Sequence, residues 1–234
     1  MFQFKQFSVD QTGCAMKINT DGVLLGALTE TDNAQTILDI GTGTGVIALM
    51  LAQRFTASVI DAIEIDASAA KTADTNFKNS PFAERLSLFP LSFEDYFDKY
   101  PDKKYDLIVS NPPFHLNSLE SPQAKKSLAK HTDNDFFERL IDNVAKHLTR
   151  RGLCWLVLPI PAAELVKSLA NQHDLYLQKV ISIQSFETDM PHREVVCFGF
   201  KDITVEMSNL VIYKVVGEYS AQYKQLLQPY FIAF

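Results

Sequence analysis

The stretch Leu38-Asp39-Ile40-Gly41-Thr42-Gly43-Thr44-Gly45-Val46-Ile47-Ala48-Leu49 decides the fold. Its upstream flank, Thr36–Ile40, is a short apolar run that stops at glycine, which predicts a buried strand. Its downstream flank, Val46–Phe55, predicts a helix with Val46, Leu49, Met50 and Gln53 on one face. Between them glycine alternates with threonine. Glycine adopts positive φ without steric cost and lets a ligand approach the backbone closely. The first turn of the helix offers unpaired N–H groups. Open α/β sheets bind ligands at such turns, beyond the carboxyl ends of the strands where the strand order reverses.

The same alternation continues outward. Strands are expected at Ser58–Ile63, Leu86–Phe89, Tyr105–Ser110, Leu153–Leu158, Tyr176–Ser185 and Glu194–Phe200. Helices are expected at Ser68–Asn79 with Ser68 as N-cap, at Asp135–Leu148, and at Pro161–His173 with Pro161 in the first helical position. Strand–helix alternation predicts an α/β, Rossmann-like architecture: a seven-stranded, mostly parallel sheet with helices on both faces. We read residues 1–234 as a single domain with additions at 1–30 and 202–234. The second addition carries an expected strand at Asn209–Tyr213 and an expected helix near Ser220–Pro229.

Composition narrows the function classes. The 234 residues hold 22 Lys and Arg against 28 Asp and Glu, a net charge of -6, with 47% hydrophobic residues. That is the make-up of a globular protein rather than a disordered one. No apolar run is long enough to span a membrane, and Met1-Phe2-Gln3-Phe4-Lys5 lacks the apolar core of a signal peptide; a cytoplasmic location is expected. Three scattered cysteines, Cys14, Cys154 and Cys197, support neither a disulfide framework nor a metal cage. The acidic balance argues against a general nucleic-acid binder but leaves room for a local basic patch.

Three ligands compete for the glycine turn. A dinucleotide fingerprint needs a third glycine at residue 46, where this chain has Val46, and a P-loop needs a lysine that the turn lacks. S-adenosylmethionine carries no phosphate and needs neither. It needs a close backbone at Gly41, Gly43 and Gly45 and carboxylates for its hydroxyls and ammonium group. Asp39 stands before the turn, and Glu64 closes the second strand in Ala62-Ile63-Glu64-Ile65-Asp66. A carboxylate at Glu64 can accept from both ribose hydroxyls.

A second motif, Asn111-Pro112-Pro113-Phe114, directly follows the strand Tyr105–Ser110. Asp-Ile-Gly-Thr-Gly-Thr-Gly paired with Asn-Pro-Pro-Phe resembles class I S-adenosylmethionine-dependent methyltransferases that act on exocyclic or amide nitrogens. Phe4-Lys5-Gln6-Phe7 and Met16-Lys17-Ile18-Asn19-Thr20-Asp21-Gly22-Val23-Leu24-Leu25-Gly26-Ala27 are similar to one bacterial group among them. That group methylates N6 of adenine 37 in valine tRNA. The resemblance runs over nearly the whole chain. It implies S-adenosylmethionine as cofactor, the anticodon loop of valine tRNA as partner, and no metal; we expect a monomer.

The chemistry gives the tetrad its roles. A conjugated exocyclic amine is planar and a poor nucleophile. The Asn111 side-chain oxygen and the Pro112 carbonyl are two acceptors for its N–H bonds. The adjacent prolines fix φ and hold those acceptors in place. Phe114 offers a stacking face to the base. Asn111 is no general base, since an amide accepts no proton at neutral pH.

Further residues follow from the resemblance. Thr20 and Asp21 lie in the segment that covers the cofactor in such enzymes; the alternative is a helix N-cap. The usual adenine-facing Asp after the third strand is replaced here by Ser92-Phe93, with Asp95 nearby. Pro113 and a polar loop carrying Lys125, Lys126, Lys130 and His131 are expected to face the substrate. Lys146, His147, Arg150 and Arg151 are read as cations at a helix C-terminus. His192 and Arg193 are placed in a hairpin turn, where they either touch RNA or are simply exposed. The rival functions are methylation of a ribosomal guanine N2 or a protein glutamine amide, an NAD-dependent oxidoreductase disfavoured by Val46, and a non-catalytic RNA-binding module disfavoured by the intact tetrad.

Overall fold

The computed structural model describes residues 1–14, 16–113 and 124–234, the side chains of 124–133 excepted. The chain opens with β1 (Phe2–Gln3), β2 (Ser8–Val9) and α1 (Thr20–Leu28). Strands and helices then alternate: β3 (Thr36–Ile40), α2 (Val46–Arg54), β4 (Val59–Ile63), α3 (Ala67–Lys78), β5 (Leu86–Phe89), α4 (Phe93–Lys99), β6 (Tyr105–Ser110), α5 (Ala124–His147), β7 (Leu148–Pro159) and α6 (Ile160–Gln172). The end is β-rich: β8 (Tyr176–Gln184), β9 (Arg193–Gly199), β10 (Glu206–Val211), β11 (Tyr213–Val215), β12 (Glu218–Tyr219) and then α7 (Ala221–Leu227).

The main sheet runs in the order β10-β8-β9-β7-β6-β3-β4-β5. Of these strands only β9 is antiparallel to its neighbours. The sheet has eight strands among the described residues, not the expected seven. The segment read as a terminal addition supplies the eighth, because β10 pairs in parallel with β8 from Glu206↔Lys179 to Val211↔Gln184. From β3 the chain builds outward through β4 and β5, then returns to place β6 on the other side of β3. The order therefore reverses at β3 and β6, whose ends are in register at Ile40↔Ser110.

The period-2 pleat sorts side chains to two cores. Ile37, Leu107, Val109, Trp155 and Val157 face α1, α2 and α7. Leu38, Ile40, Ile108, Leu156 and Leu158 face α4, α5 and α6. Buried on both sides, the central strands read as continuous apolar runs. Each fully buried aliphatic side chain contributes about 1.5–3 kcal/mol. Helix α2 is buried from Val46 through Ala52, a wider surface than the single face expected, because α1 packs over it.

Several local expectations shift. Helix α3 is capped by Asp66, whose side chain accepts from the Ala69 N–H at 2.7 Å, rather than by Ser68. Pro161 occupies the second position of α6, after Ile160. Arg150 and Arg151 already belong to β7, so only Lys146 and His147 end helix α5. His147 is buried, its Nδ1 lies 2.8 Å from the Lys103 carbonyl, and burial lowers its pKa. The segment containing residues 125–131, expected as a loop, follows the helical backbone of α5; its Ala, Lys and Leu content suits a helix. The chain's two ends meet through a Phe4–Phe231 bridge, and Lys5 Nζ donates to the carbonyls of Gln228 and Phe234.

Candidate active site

The turn after β3 carries three left-handed glycines: Gly41 at φ 72°, Gly43 at φ 56° and Gly45 at φ 84°. They divide by surroundings. No atom of the described residues lies within 4 Å of where a Cβ would sit on Gly41 or Gly43, and both line a cavity of about 410 Å³. A Cβ on Gly45 would come within 2.5 Å of the Phe77 ring, so this glycine serves helix–helix packing behind the turn.

Two carboxylates hold the turn. Asp39 is fully buried; its Oδ2 accepts from Thr42 Oγ1 at 2.6 Å and from the Ala48 N–H at 3.2 Å. Its Oδ1 has no hydrogen-bond partner among the described residues. Burial pushes the carboxyl up to about 7, against the lowering effect of the two bonds. Glu64 lines the cavity and clamps two turns: Oε2 accepts from the Gly43 N–H and Oε1 from the Asp66 N–H, both at 2.8 Å. Each carboxylate oxygen keeps a lone pair for a ligand hydroxyl.

The end of β6, next to that of β3, supplies a second part of the wall. Ser110, Asn111, Pro112 and Pro113 line the cavity with Ile40, Gly41, Gly43 and Glu64. Ser110 Oγ donates to the Ile40 carbonyl at 2.7 Å, tying the last residues of the two strands together. Ser92 and Phe93 line a further side. Ser92 is also the N-cap of α4, accepting from the Asp95 N–H at 3.0 Å while its hydroxyl donates to the Asp95 carboxylate.

The residues fit S-adenosylmethionine. The cavity has the size of a small-molecule site. Two positive-φ glycines leave their approach open, a carboxylate faces inward, and among the described residues no cation lines the wall to favour a phosphate.

A family model described as methyltransferase small domain matches residues 17–175. The tRNA1(Val) (adenine(37)-N6)-methyltransferase of Pedobacter heparinus is 49% identical over 233 residues, covering 100% of this chain and 98% of that protein. The chain belongs to this methyltransferase family. Its similarity to the Bacteroides fragilis protein of the same name is 39% over 231 residues, 99% of this chain and 97% of that one. Among solved structures, a predicted O-methyltransferase from Agrobacterium tumefaciens superposes with a TM-score of 0.68 at 16% identity, covering 90% of this chain and 96% of the other. The ribosomal protein L11 methylase of Lactobacillus delbrueckii does so with a TM-score of 0.54 at 16% identity, over 77% and 78%. At these identities the structures attest the class I methyltransferase fold.

In this methyltransferase the remaining expected site residues are dispersed. Thr20 and Asp21 begin α1 but are not its cap; Asn19 accepts from the Gly22 N–H at 2.9 Å. Asp21 Oδ2 accepts from Arg193 Nε at 2.9 Å, which ties α1 to β9. Neither Thr20 nor Asp21 is among the residues lining the cavity, nor are Asp39 and Gly45, which stand behind the turn. Phe114 lies outside the described residues. Lys125, Lys126, Lys130 and His131 are placed only as backbone of α5. Sequence reading missed Cys14, Met16, Ile65 and Phe136, all of which line the cavity. Ile65 was in sight, directly after Glu64. Met16 opens the stretch Met16–Ala27, of which only Thr20 and Asp21 carried an expected role; Cys14 arrives from far along the chain and gave no local signal.

Proposed function

We propose that the protein transfers the methyl group of S-adenosylmethionine to N6 of adenine 37 in the anticodon loop of valine tRNA, releasing S-adenosylhomocysteine and passing one amino proton to water. The observation that carries the reading is the meeting of Gly41, Gly43 and Glu64 with Asn111 and Pro112 around one cavity. The names of the full-length relatives supply the substrate. The bound cofactor supplies an electrophilic methyl group on a sulfonium. Glu64 and the two open glycines would hold it, and Ser92 and Phe93, which line the same cavity, would take its adenine. The Asn111 side-chain oxygen and the Pro112 carbonyl accept from the target amine, draw it out of planarity and localise its lone pair toward the methyl. Pro112 and Pro113 keep these acceptors from relaxing. Phe114 would supply the stacking face, and Lys125, Lys126, Lys130 and His131 the RNA contacts, that the resemblance implies. The adenine must leave its stack, at a cost of a few kcal/mol that is smaller in a loop than in a duplex. The enzyme works as a cytoplasmic monomer.

Incubation with labelled cofactor and unmodified tRNA tests this. N6-methyladenosine at position 37 of valine tRNA is the expected product. Label confined to protein moves the assignment to a glutamine acceptor, and label in ribosomal guanine to that rival. Calorimetry that shows NAD binding and no S-adenosylhomocysteine binding overturns the methyltransfer chemistry altogether.

A further inference from the structure

We infer that Asn76 and Thr72, on one face of α3, are positioning residues that dock the segment after β2 as a wall of the cofactor cavity and couple it to the glycine turn. The inference rests on the cofactor reading above.

Asn76 is buried in α3, and its amide is fully used. Oδ1 accepts from the Asp10 N–H at 2.8 Å. Nδ2 donates to the Asp10 carbonyl at 3.0 Å and to the Thr44 carbonyl at 2.8 Å. One side chain therefore grips the backbone of Asp10 on both sides and, with its remaining N–H, the glycine turn itself. One turn earlier on α3, Thr72 Oγ1 donates to the Thr12 carbonyl at 2.7 Å. Gly13, at φ 75°, passes so near Ser68 that a Cβ there would lie 2.6 Å from its hydroxyl. Gln11 closes the segment on itself by accepting from the Ile18 N–H at 2.8 Å.

The docked segment then presents Cys14 and Met16 to the cavity that Asn111 and Pro112 also line. Its anchor shares a residue with the turn that receives the cofactor. Anything that fills the cavity favours the docked segment, and by reciprocity anything that undocks the segment weakens the ligand. Asn76 is not among the residues that line the cavity and acts only through the segment and the turn.

Cys14 reports on docking, because it is buried in the segment while Cys154 and Cys197 are buried in the sheet. Thiol labelling of the full chain, read by mass at each cysteine with and without S-adenosylhomocysteine, tests the coupling. Bound S-adenosylhomocysteine should slow labelling of Cys14 in the wild type, by covering it directly as well as by docking the segment, so the variants without ligand carry the test of coupling. Thr72→Val, on a partly exposed helix face, removes the bond to the Thr12 carbonyl and also the hydroxyl that bonds the Cys14 thiol. It should speed Cys14 labelling once the change in thiol reactivity is corrected from the pH dependence of the rate, and weaken S-adenosylhomocysteine roughly fivefold. Asn76→Asp keeps the acceptor toward Asp10 but turns oxygen toward two carbonyls, and should do both by about tenfold or more. Equal acceleration at Cys154 and Cys197 would mark general unfolding and overturn the inference. So would wild-type affinity and Cys14 protection in both variants. Failure of the wild type to bind S-adenosylhomocysteine at all sinks the cofactor reading instead.

Discussion

Two turns at the ends of adjacent strands line one cavity, and they are made of opposite materials. The turn after β3 is glycine-rich, with φ angles that side chains resist, and is held from behind by Asp39 and from the cavity side by Glu64. The turn after β6 is Asn-Pro-Pro, held by its own ring-locked φ angles and by the Ser110–Ile40 bond. One turn gives up side chains so that a ligand can lie against backbone; the other gives up freedom so that two oxygens stay fixed. Binding and chemistry should therefore separate when each turn is broken. Asn111→Ala should cut the rate of transfer by roughly 10²–10³-fold, the usual effect of removing one preorganised polar group at a reacting centre. Its S-adenosylhomocysteine affinity, measured by calorimetry, should stay near wild type. Glu64→Ala should do the reverse. Loss of two charge-assisted hydrogen bonds weakens S-adenosylhomocysteine on the order of 100-fold, while transfer at saturating cofactor changes much less.

The glycine turn contains a finer contrast. Alanine at Gly43 adds about 1–2 kcal/mol of left-handed strain and places a methyl group where the ligand lies, so the main loss should be in affinity. Alanine at Gly45 adds the same strain and drives a Cβ into the Phe77 ring, so the main loss should be in stability, read as a lower denaturation midpoint in urea. Equal effects of the two on S-adenosylhomocysteine binding would erase the division between ligand-facing and core-facing glycines.

The same contrast governs what could be read in advance. Strands β3, β4, β5 and β6 follow expectation to within a residue: β3 and β6, buried at nearly every position, read as mostly apolar runs, and all four stop where the chain turns. The turns themselves were legible because glycine and proline carry their conformational meaning locally. Contacts made at long range were not. Asn76 reads as a polar residue within a helix until Asp10, 66 positions away, is laid beside it. The pairing of β10 with β8 was hidden because an edge strand with exposed Glu206, Met207, Ser208 and Asn209 lacks the continuous apolar run of a central one. Asp66 outcompetes Ser68 as a cap since Glu64 accepts from its N–H and fixes the backbone there. The place of Asp39 before the turn marks it as a ligand-facing acid; only its burial reveals that it faces inward.

That inward placement yields the smallest of the expected effects and the sharpest test of how the glycine turn is held. The Asp39 carboxyl rises to about 7, mainly through burial and further through the nearby Glu64 charge, although Thr42 and the Ala48 N–H stabilise its ionised form. In an unfolded chain the same group titrates near 3.9. Between these values the folded protein retains a proton that the unfolded chain has lost. Stability must then fall as pH rises through that window and level off above it. The Asp39→Asn variant keeps one acceptor for Thr42 and Ala48 and presents an uncharged group where Oδ1 has no partner among the described residues. It should lose that slope, gaining on the wild type from about pH 4 to about pH 7 in urea denaturation. Parallel stability curves for the two proteins would mean that Asp39 is ionised in the fold across that window, and that the turn is held by a carboxylate rather than by a neutral carboxyl.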